Sequence, residues 1–418
     1  MIRRIFSSVV FVCLCHYVFG QVNATYYVDG AKEKEQYRSH VNLEAVGSGN
    51  SVVYATNGVD LILTVVRMNK TSGELNKPER RERGINSSIL VDGGSNVVME
   101  RCEVNSHVSY ADAVAAYGDN TNVKVQEGII RVTRSGSAGA NAIAGAKLRF
   151  EQTDLTTSSG QSPVMIASKG GRLEAFETLG GSSGVGSPLF LSNGELIAEK
   201  CRMSASRWAL AQVDGGHITL KSNELVTRSF CGVMVYSTGN TVNSGVAELS
   251  KNKIQVNEGP LFYVTNANGE IHVDHNKFTQ KDKDVLVAKA DDWGVKGRNG
   301  GHAVLVVQSQ SLSGNVWADS ISSVKVILKK KGSLSGAVNS EGNMVAEHRM
   351  VIGTGGKWAV KKDSYLNSIE FEQPLNKGLK QLKGNHTVYY DPSDPVNAPL
   401  EGKEHKIGGG GKLKPLNK

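Results

Sequence analysis

Leu148-Arg149-Phe150-Glu151-Gln152-Thr153-Asp154-Leu155 and Leu173-Glu174-Ala175-Phe176-Glu177-Thr178-Leu179-Gly180 are one phrase written twice, 25 residues apart. Its form is apolar, any, apolar, two residues, a small or polar residue, any, and a closing position that is usually apolar. The phrase opens again at Val97, Val123, Leu196, Ile218, Ala247, Ile271 and Leu305. Taken together, the nine openings are separated by 26, 25, 25, 23, 22, 29, 24 and 34 residues. Such a period marks a solenoid or a propeller. Propeller blades need roughly 40 residues and four strands, and leucine-rich repeats need Leu at fixed steps, so neither fits.

A second short strand recurs within each period. Examples are Val164-Met165-Ile166, Leu189-Phe190-Leu191, Val233-Met234-Val235-Tyr236, Leu261-Phe262-Tyr263-Val264 and Val285-Leu286-Val287. Corners such as Ser158-Ser159-Gly160 separate the strands. One coil cannot bury its own apolar side, whereas stacked coils about 4.8 Å apart bury a continuous core. The reading is therefore an all-β chain wound into a parallel β-helix. Alternation sends Leu148 and Phe150 inward and Arg149 and Glu151 outward.

The small or polar position then becomes a column: Cys102, Gly128, Thr153, Thr178, Cys201, Asn223, Asn252 and Asn276. The three asparagines are expected to form an amide ladder. Cys102 and Cys201 fall four coils apart, about 19 Å at the strand spacing. A disulfide needs Cα atoms within about 7 Å, so these two are expected to be small core residues.

Residues 1–20 open with Arg3-Arg4, run apolar from Ile5 to Phe19 and end at Gly20, the pattern of a secretory signal peptide. The run is short for a membrane span, and no later stretch is apolar enough for one. Cleavage would leave Cys102, Cys201 and Cys231, an odd number, which rules out a fully paired framework. It would also leave a net charge of +6, which permits an acidic partner without demanding one. Asn23, Asn69, Asn86 and Asn385 stand in Asn-X-Ser/Thr sequons. The expected organisation is a signal peptide over 1–20, an N-terminal cap and first coils over 21–85, a parallel β-helix over 86–391 and a basic Gly/Lys-rich tail over 392–418. Lys77-Pro78-Glu79-Arg80-Arg81-Glu82-Arg83 reads as an exposed loop, and the tail reads as mobile.

Further stretches follow in order: Glu258-Gly259-Pro260-Leu261-Phe262-Tyr263-Val264-Thr265-Asn266, Asp292-Trp293-Gly294, Asn299-Gly300-Gly301, Asp319-Ser320-Ile321-Ser322-Ser323 and Gly332-Ser333-Leu334-Ser335-Gly336-Ala337. Asp363-Ser364-Tyr365-Leu366, Gly384-Asn385-His386-Thr387-Val388-Tyr389-Tyr390-Asp391 and Gly408 to Leu413 complete the series. Over roughly residues 50–413 this order resembles secreted right-handed β-helix proteins of gut-type bacteria and some microbial eukaryotes, commonly labelled adhesin-like. The resemblance implies a right hand and an extracellular or cell-surface setting, and supplies no catalytic motif. This chain departs from it in its many Lys and Arg residues, as at Lys329-Lys330-Lys331.

Polysaccharide lyases and glycoside hydrolases also use parallel β-helices, so an enzyme is the rival reading. A lyase needs a basic residue beside carboxylates that hold Ca²⁺, and a hydrolase needs two or three convergent carboxylates. One outward column reads Val98, Lys124, Arg149, Glu174, Ile197, Thr219, Glu248, His272 and Val306. The other reads Glu100, Gln126, Glu151, Phe176, Glu199, Lys221, Ser250, Asp274 and Gln308. Signs are mixed, and Arg149 adjoins Glu174 as Glu199 adjoins Lys221, the pattern of a solvated face with cross-strand pairs. Glu248, His272 and Asp274 form the best candidate catalytic or metal cluster, with a solvated polar face as the plainer account. Asp291-Asp292-Trp293 lies in the longest insertion, a place where function often sits. No phosphate loop, zinc spacing or nucleophile elbow occurs, and the reading calls for no cofactor and no nucleic acid. The expectation is a secreted, non-enzymatic, adhesin-like or matrix protein contacting a glycan or another surface polymer. The alternative is a lyase or hydrolase of an extracellular polysaccharide.

Overall fold

The computed structural model describes residues 22–416 as a parallel β-solenoid, with one short antiparallel pairing, His405–Lys406 against Lys412–Pro415, at its C-terminal end. Successive strands of each coil lie on three faces. Face A is a 12-stranded sheet running from Asn23–Asp29 to Asn315–Ala318. Face B is a 14-stranded sheet from Glu35–Ser39 to Ser368–Phe371, and face C a 10-stranded sheet from Asn42–Ala45 to Lys277–Gln280. Two four-stranded sheets continue the stack at its C-terminal end.

The repeated phrase is face B followed by face C. Leu148 and Phe150 of Lys147–Glu151 are buried, Lys147 and Arg149 exposed. Val97, Val123, Leu148, Leu173, Leu196, Ile218, Ala247, Ile271 and Leu305 are mutual neighbours across eight parallel pairings, so the register read from the sequence is the register of the fold. The lumen is filled rather than hollow, with Phe150, Phe190, Phe262, Trp358 and Tyr390 among its largest fully buried side chains.

The turn from face B to face C is not made by glycine. Arg101, Glu127, Gln152, Glu177, Lys200, Ser222, Lys251, His275 and Ser309 occupy it on nine successive coils, all with φ between 45° and 57°. Left-handed backbone disfavours L-residues. Here each turn keeps the ladder intact: Glu127 N–H donates to Glu151 O at 3.0 Å and Gln152 N–H to Phe176 O at 3.0 Å. The next residue is the small or polar column, and its asparagines form the expected ladder. Asn223 Nδ2 donates to Asn252 Oδ1, and Asn252 Nδ2 to Asn276 Oδ1, each at 2.9 Å. Gln310 extends it by donating from Nε2 to Asn276 O at 3.0 Å. Cys102, Cys201 and Cys231 are buried free thiols.

Within the segment expected to hold an N-terminal cap and the first coils, coil pairing begins at Asn23. Two expectations need correction. The charged segment before the main coils is not simply an exposed loop. It contains a short helix, Pro78–Arg81, and its flanking Leu75 and Ile85 bury against Leu90 and Ala115 on the outside of face A. The tail is ordered through residue 416: Lys412–Pro415 pairs with Thr387–Tyr390, and Leu400, Ile407 and Leu413 close the end of the core. Such scattered apolar residues, Ile407 and Leu413 set among glycine and lysine, cover the open face of a coil. The signal-peptide reading of 1–20 lies outside the described residues. Among the described residues, no helix is long and apolar enough to cross a membrane.

Candidate functional site

Both outward columns of face B align as written from the sequence, and their charges pair. Arg149 Nη1 meets Glu174 Oε2 at 2.7 Å, and Lys221 Nζ meets Glu199 Oε1 at 3.1 Å. Side-chain bonding to Arg149 and Lys124 holds the Glu151 carboxyl below the usual range despite partial burial. Solvent-facing pairs of this kind contribute at most about 1 kcal/mol each.

Glu248 and His272 are direct lateral neighbours, with Asp274 two residues along the same strand. The three side chains nevertheless turn to different partners. Glu248 faces His217 Nε2 at 3.7 Å, His272 Nε2 meets Glu270 Oε1 at 2.7 Å, and Asp274 Oδ1 meets His275 Nδ1 at 2.7 Å. They line a shallow depression of about 210 Å³ with Thr219, Gln308 and Lys329. Among the described residues, no three His, Cys, Asp or Glu side chains are grouped to hold a metal ion.

The outside of face A differs in kind. Its outward column runs Tyr54, Leu90, Ala115, Asn141, Ile166, Leu191, Gln212, Met234, Tyr263, Val287, Trp317. A sheet that turns one side to water should alternate, whereas a strand apolar throughout is covered on both sides. Val233-Met234-Val235-Tyr236 and Leu261-Phe262-Tyr263-Val264 are apolar throughout, so the signal lay in the sequence as a missing alternation.

What covers this column is a second apolar cluster outside the lumen. Trp208 stacks on Phe230 with ring centroids 4.5 Å apart, and Phe230 meets Tyr263 edge-on at 5.7 Å. Trp293 packs edge-on against Tyr236 at 5.5 Å. Trp293 arrives on the 289–300 insertion, which Asn299 ties down by donating from Nδ2 to Asp291 O at 2.6 Å and Trp293 O at 2.9 Å. The Tyr263 hydroxyl donates to the Asp291 carboxylate, and burial together with that anion pushes its pKa well up, so it stays protonated. Trp208, Phe230, Trp293 and Trp317 remain half-buried.

At the C-terminal end of this surface Trp317 borders a groove of about 410 Å³. Its indole N–H donates to Asp284 Oδ2 at 2.9 Å, which fixes the ring. Asp319 lies across the same groove, oriented by Ser322 Oγ at 2.5 Å and the Ala290 N–H at 2.8 Å. A fixed aromatic ring beside fixed hydrogen-bond acceptors suits a ligand with both an apolar face and hydroxyl groups. No family model and no curated protein matches the chain.

Proposed function

We propose that the protein is a secreted, non-enzymatic, adhesin-like β-helix that contacts a glycan through the outside of face A. One observation carries the reading. Three of the four tryptophans, Trp208, Trp293 and Trp317, stand outside the lumen on this face, joined by Phe230 and Tyr263. Half-exposed aromatic surface on a rigid scaffold is the usual signature of a binding surface. Aromatic rings offer the C–H faces of sugars a flat apolar platform at little cost in side-chain entropy. The stacked coils bring these rings to one side of the solenoid, so a linear polymer meets several at once.

The test is a glycan array probed with the purified chain, followed by titration of the hits against intrinsic tryptophan fluorescence. The expected result is saturable binding without turnover. Depolymerisation of a polysaccharide, abolished by Glu248→Ala or Asp274→Ala, would replace this reading with the lyase or hydrolase one.

A further inference from the structure

We propose that the Trp317 groove is a sugar subsite selective for a hexosamine residue with a free, protonated amine. The proposal deepens the glycan reading above and rests on it. The chain as a whole is basic, with 48 Lys and Arg against 40 Asp and Glu. Its general field therefore favours acidic polymers such as uronates. The groove runs against that field: Asp284, Asp319 and Glu341 line it with a single cation, Lys362.

The carboxylates differ in how they are held. Asp284 is fixed by the Trp317 indole and, at 3.3 Å, by Asn315 Nδ2. Asp319 accepts from Ser322 Oγ, the Ala290 N–H and, at 3.3 Å, the Ile321 N–H. Both oxygens of Asp284 and Oδ2 of Asp319 have room for a further donor, so both carboxylates stay available to a ligand ammonium or hydroxyl. Glu341 and Lys362 sit exposed on the rim. A cation placed here gains from the indole face as well as from the carboxylates. A uronate carboxylate would meet three like charges and one opposite charge, so the groove rejects it. A volume of about 410 Å³ lies at the small end of ligand sites, matching about one or two sugar rings.

The full chain would be titrated with three soluble oligomers of equal length: β-linked glucosamine, β-linked glucose and galacturonate. Binding would be followed by calorimetry. The glucosamine oligomer is expected to bind at least about tenfold tighter than the glucose oligomer, and the galacturonate oligomer more weakly than either. Trp317→Ala is expected to weaken glucosamine binding at least about tenfold. Glu341→Gln, an exposed change that spares the fold, is expected to narrow the glucosamine-to-glucose preference several-fold. Raising the pH until the sugar amine is neutral should abolish that preference. Tighter binding of galacturonate, or a preference untouched by both Glu341→Gln and high pH, would overturn the subsite. If glycan binding then still fell with Trp208→Ala or Trp293→Ala, face A would remain the glycan surface and only the subsite would fail. If none of the three oligomers and no glycan on the array bound, both would fail.

Discussion

Inside the lumen, His348 Nε2 accepts the backbone N–H of Ala318 at 3.0 Å, on the residue after Trp317. His348 is fully buried, and burial pushes its pKa down to about 4 from an ordinary 6.5. An accepting Nε2 is an unprotonated one, so protonation would remove the acceptor and bury a charge. The unfolded chain binds the extra proton between pH 6.5 and about 4. Stability is therefore present above that window and is lost as pH falls through it, by up to about 3 kcal/mol. Melting temperature measured from pH 7 to 4 should fall for the native chain, and His348→Gln should remove this part of the fall. A slope unchanged by the substitution would exclude His348 as its source.

The asparagine ladder should be expensive to interrupt at its centre. Asn252 accepts from both the backbone N–H and Nδ2 of Asn223 at 2.9 Å, and donates to Leu220 O at 2.8 Å and Asn276 Oδ1 at 2.9 Å. Asn252→Ala strands buried donors and acceptors on both neighbours, at about 2 to 3 kcal/mol by denaturant unfolding. Asn252→Thr should cost less, because Thr153 and Thr178 already serve this column and bond the backbone from it. Equal losses for the two variants would assign the effect to volume rather than to hydrogen bonding.

Lys70 is an inward residue of face C, between Ala45 and Ser106, and it is fully buried. Its ammonium donates to Asn50 O and, at 3.4 Å, to Gly47 O. Burial lowers its pKa from 10.5 to about 8. The unfolded chain thus binds more protons between pH 8 and 10.5, and stability rises with pH across that window. Lys70→Met should lack this rise, so its stability relative to the native chain is highest below pH 8. A difference independent of pH from 7 to 10.5 would contradict the lowered pKa.

The three buried thiols, Cys102 and Cys201 in the lumen and Cys231 in the cluster outside face A, should be chemically silent in the folded chain. Burial raises the pKa of each, that of Cys201 to about 11, and a thiol rather than a thiolate is a poor nucleophile. Ellman's reagent at pH 8 should leave Cys102, Cys201 and Cys231 unmodified until denaturant is added. Rapid reaction of any of them in the native chain would show that its coil opens.

How much of this was legible depended on whether burial imposed a period. Faces B and C alternate because one side packs the lumen and the other meets water, so Leu148 and Phe150 declared their direction. Face A carries apolar residues on both sides, and Met234, Tyr263 and Val287 look like any buried run until the stack places them in one outward column. The face B to face C turn was hidden for another reason. Backbone pairing imposes its left-handed residue, so Glu127 or Lys200 stands where a turn signal would call for glycine. The Glu248, His272 and Asp274 neighbourhood was legible as a register, but rotamers decide partners. His217 and Glu270, which take up Glu248 and His272, are not visible as competitors in a list of columns. Asn86 shows the same limit: its sequon suggests a glycan, yet the side chain is buried, accepting from the Gly49 N–H at 2.8 Å and donating to Gly73 O at 3.0 Å.

Gly180 breaks the apolar column that runs through Val104, Ile130 and Leu155 and that Met203 resumes, and filling it should harm the fold. Its φ is +131°, a conformation that L side chains rarely adopt, and a Cβ there would lie 1.8 Å from Leu155 O. The coil has drawn close at this point, so the apparent vacancy in the sequence pattern is not a cavity. Gly180→Leu, the substitution that the repeat itself recommends, should therefore destabilise by about 3 kcal/mol through strain and overpacking. Met203→Leu, one coil away in the same column, should cost less than about 1.5 kcal/mol. Unfolding midpoints of the two variants decide between backbone geometry and side-chain volume. A Gly180→Leu protein as stable as the native one would mean that the coil can relax outward there.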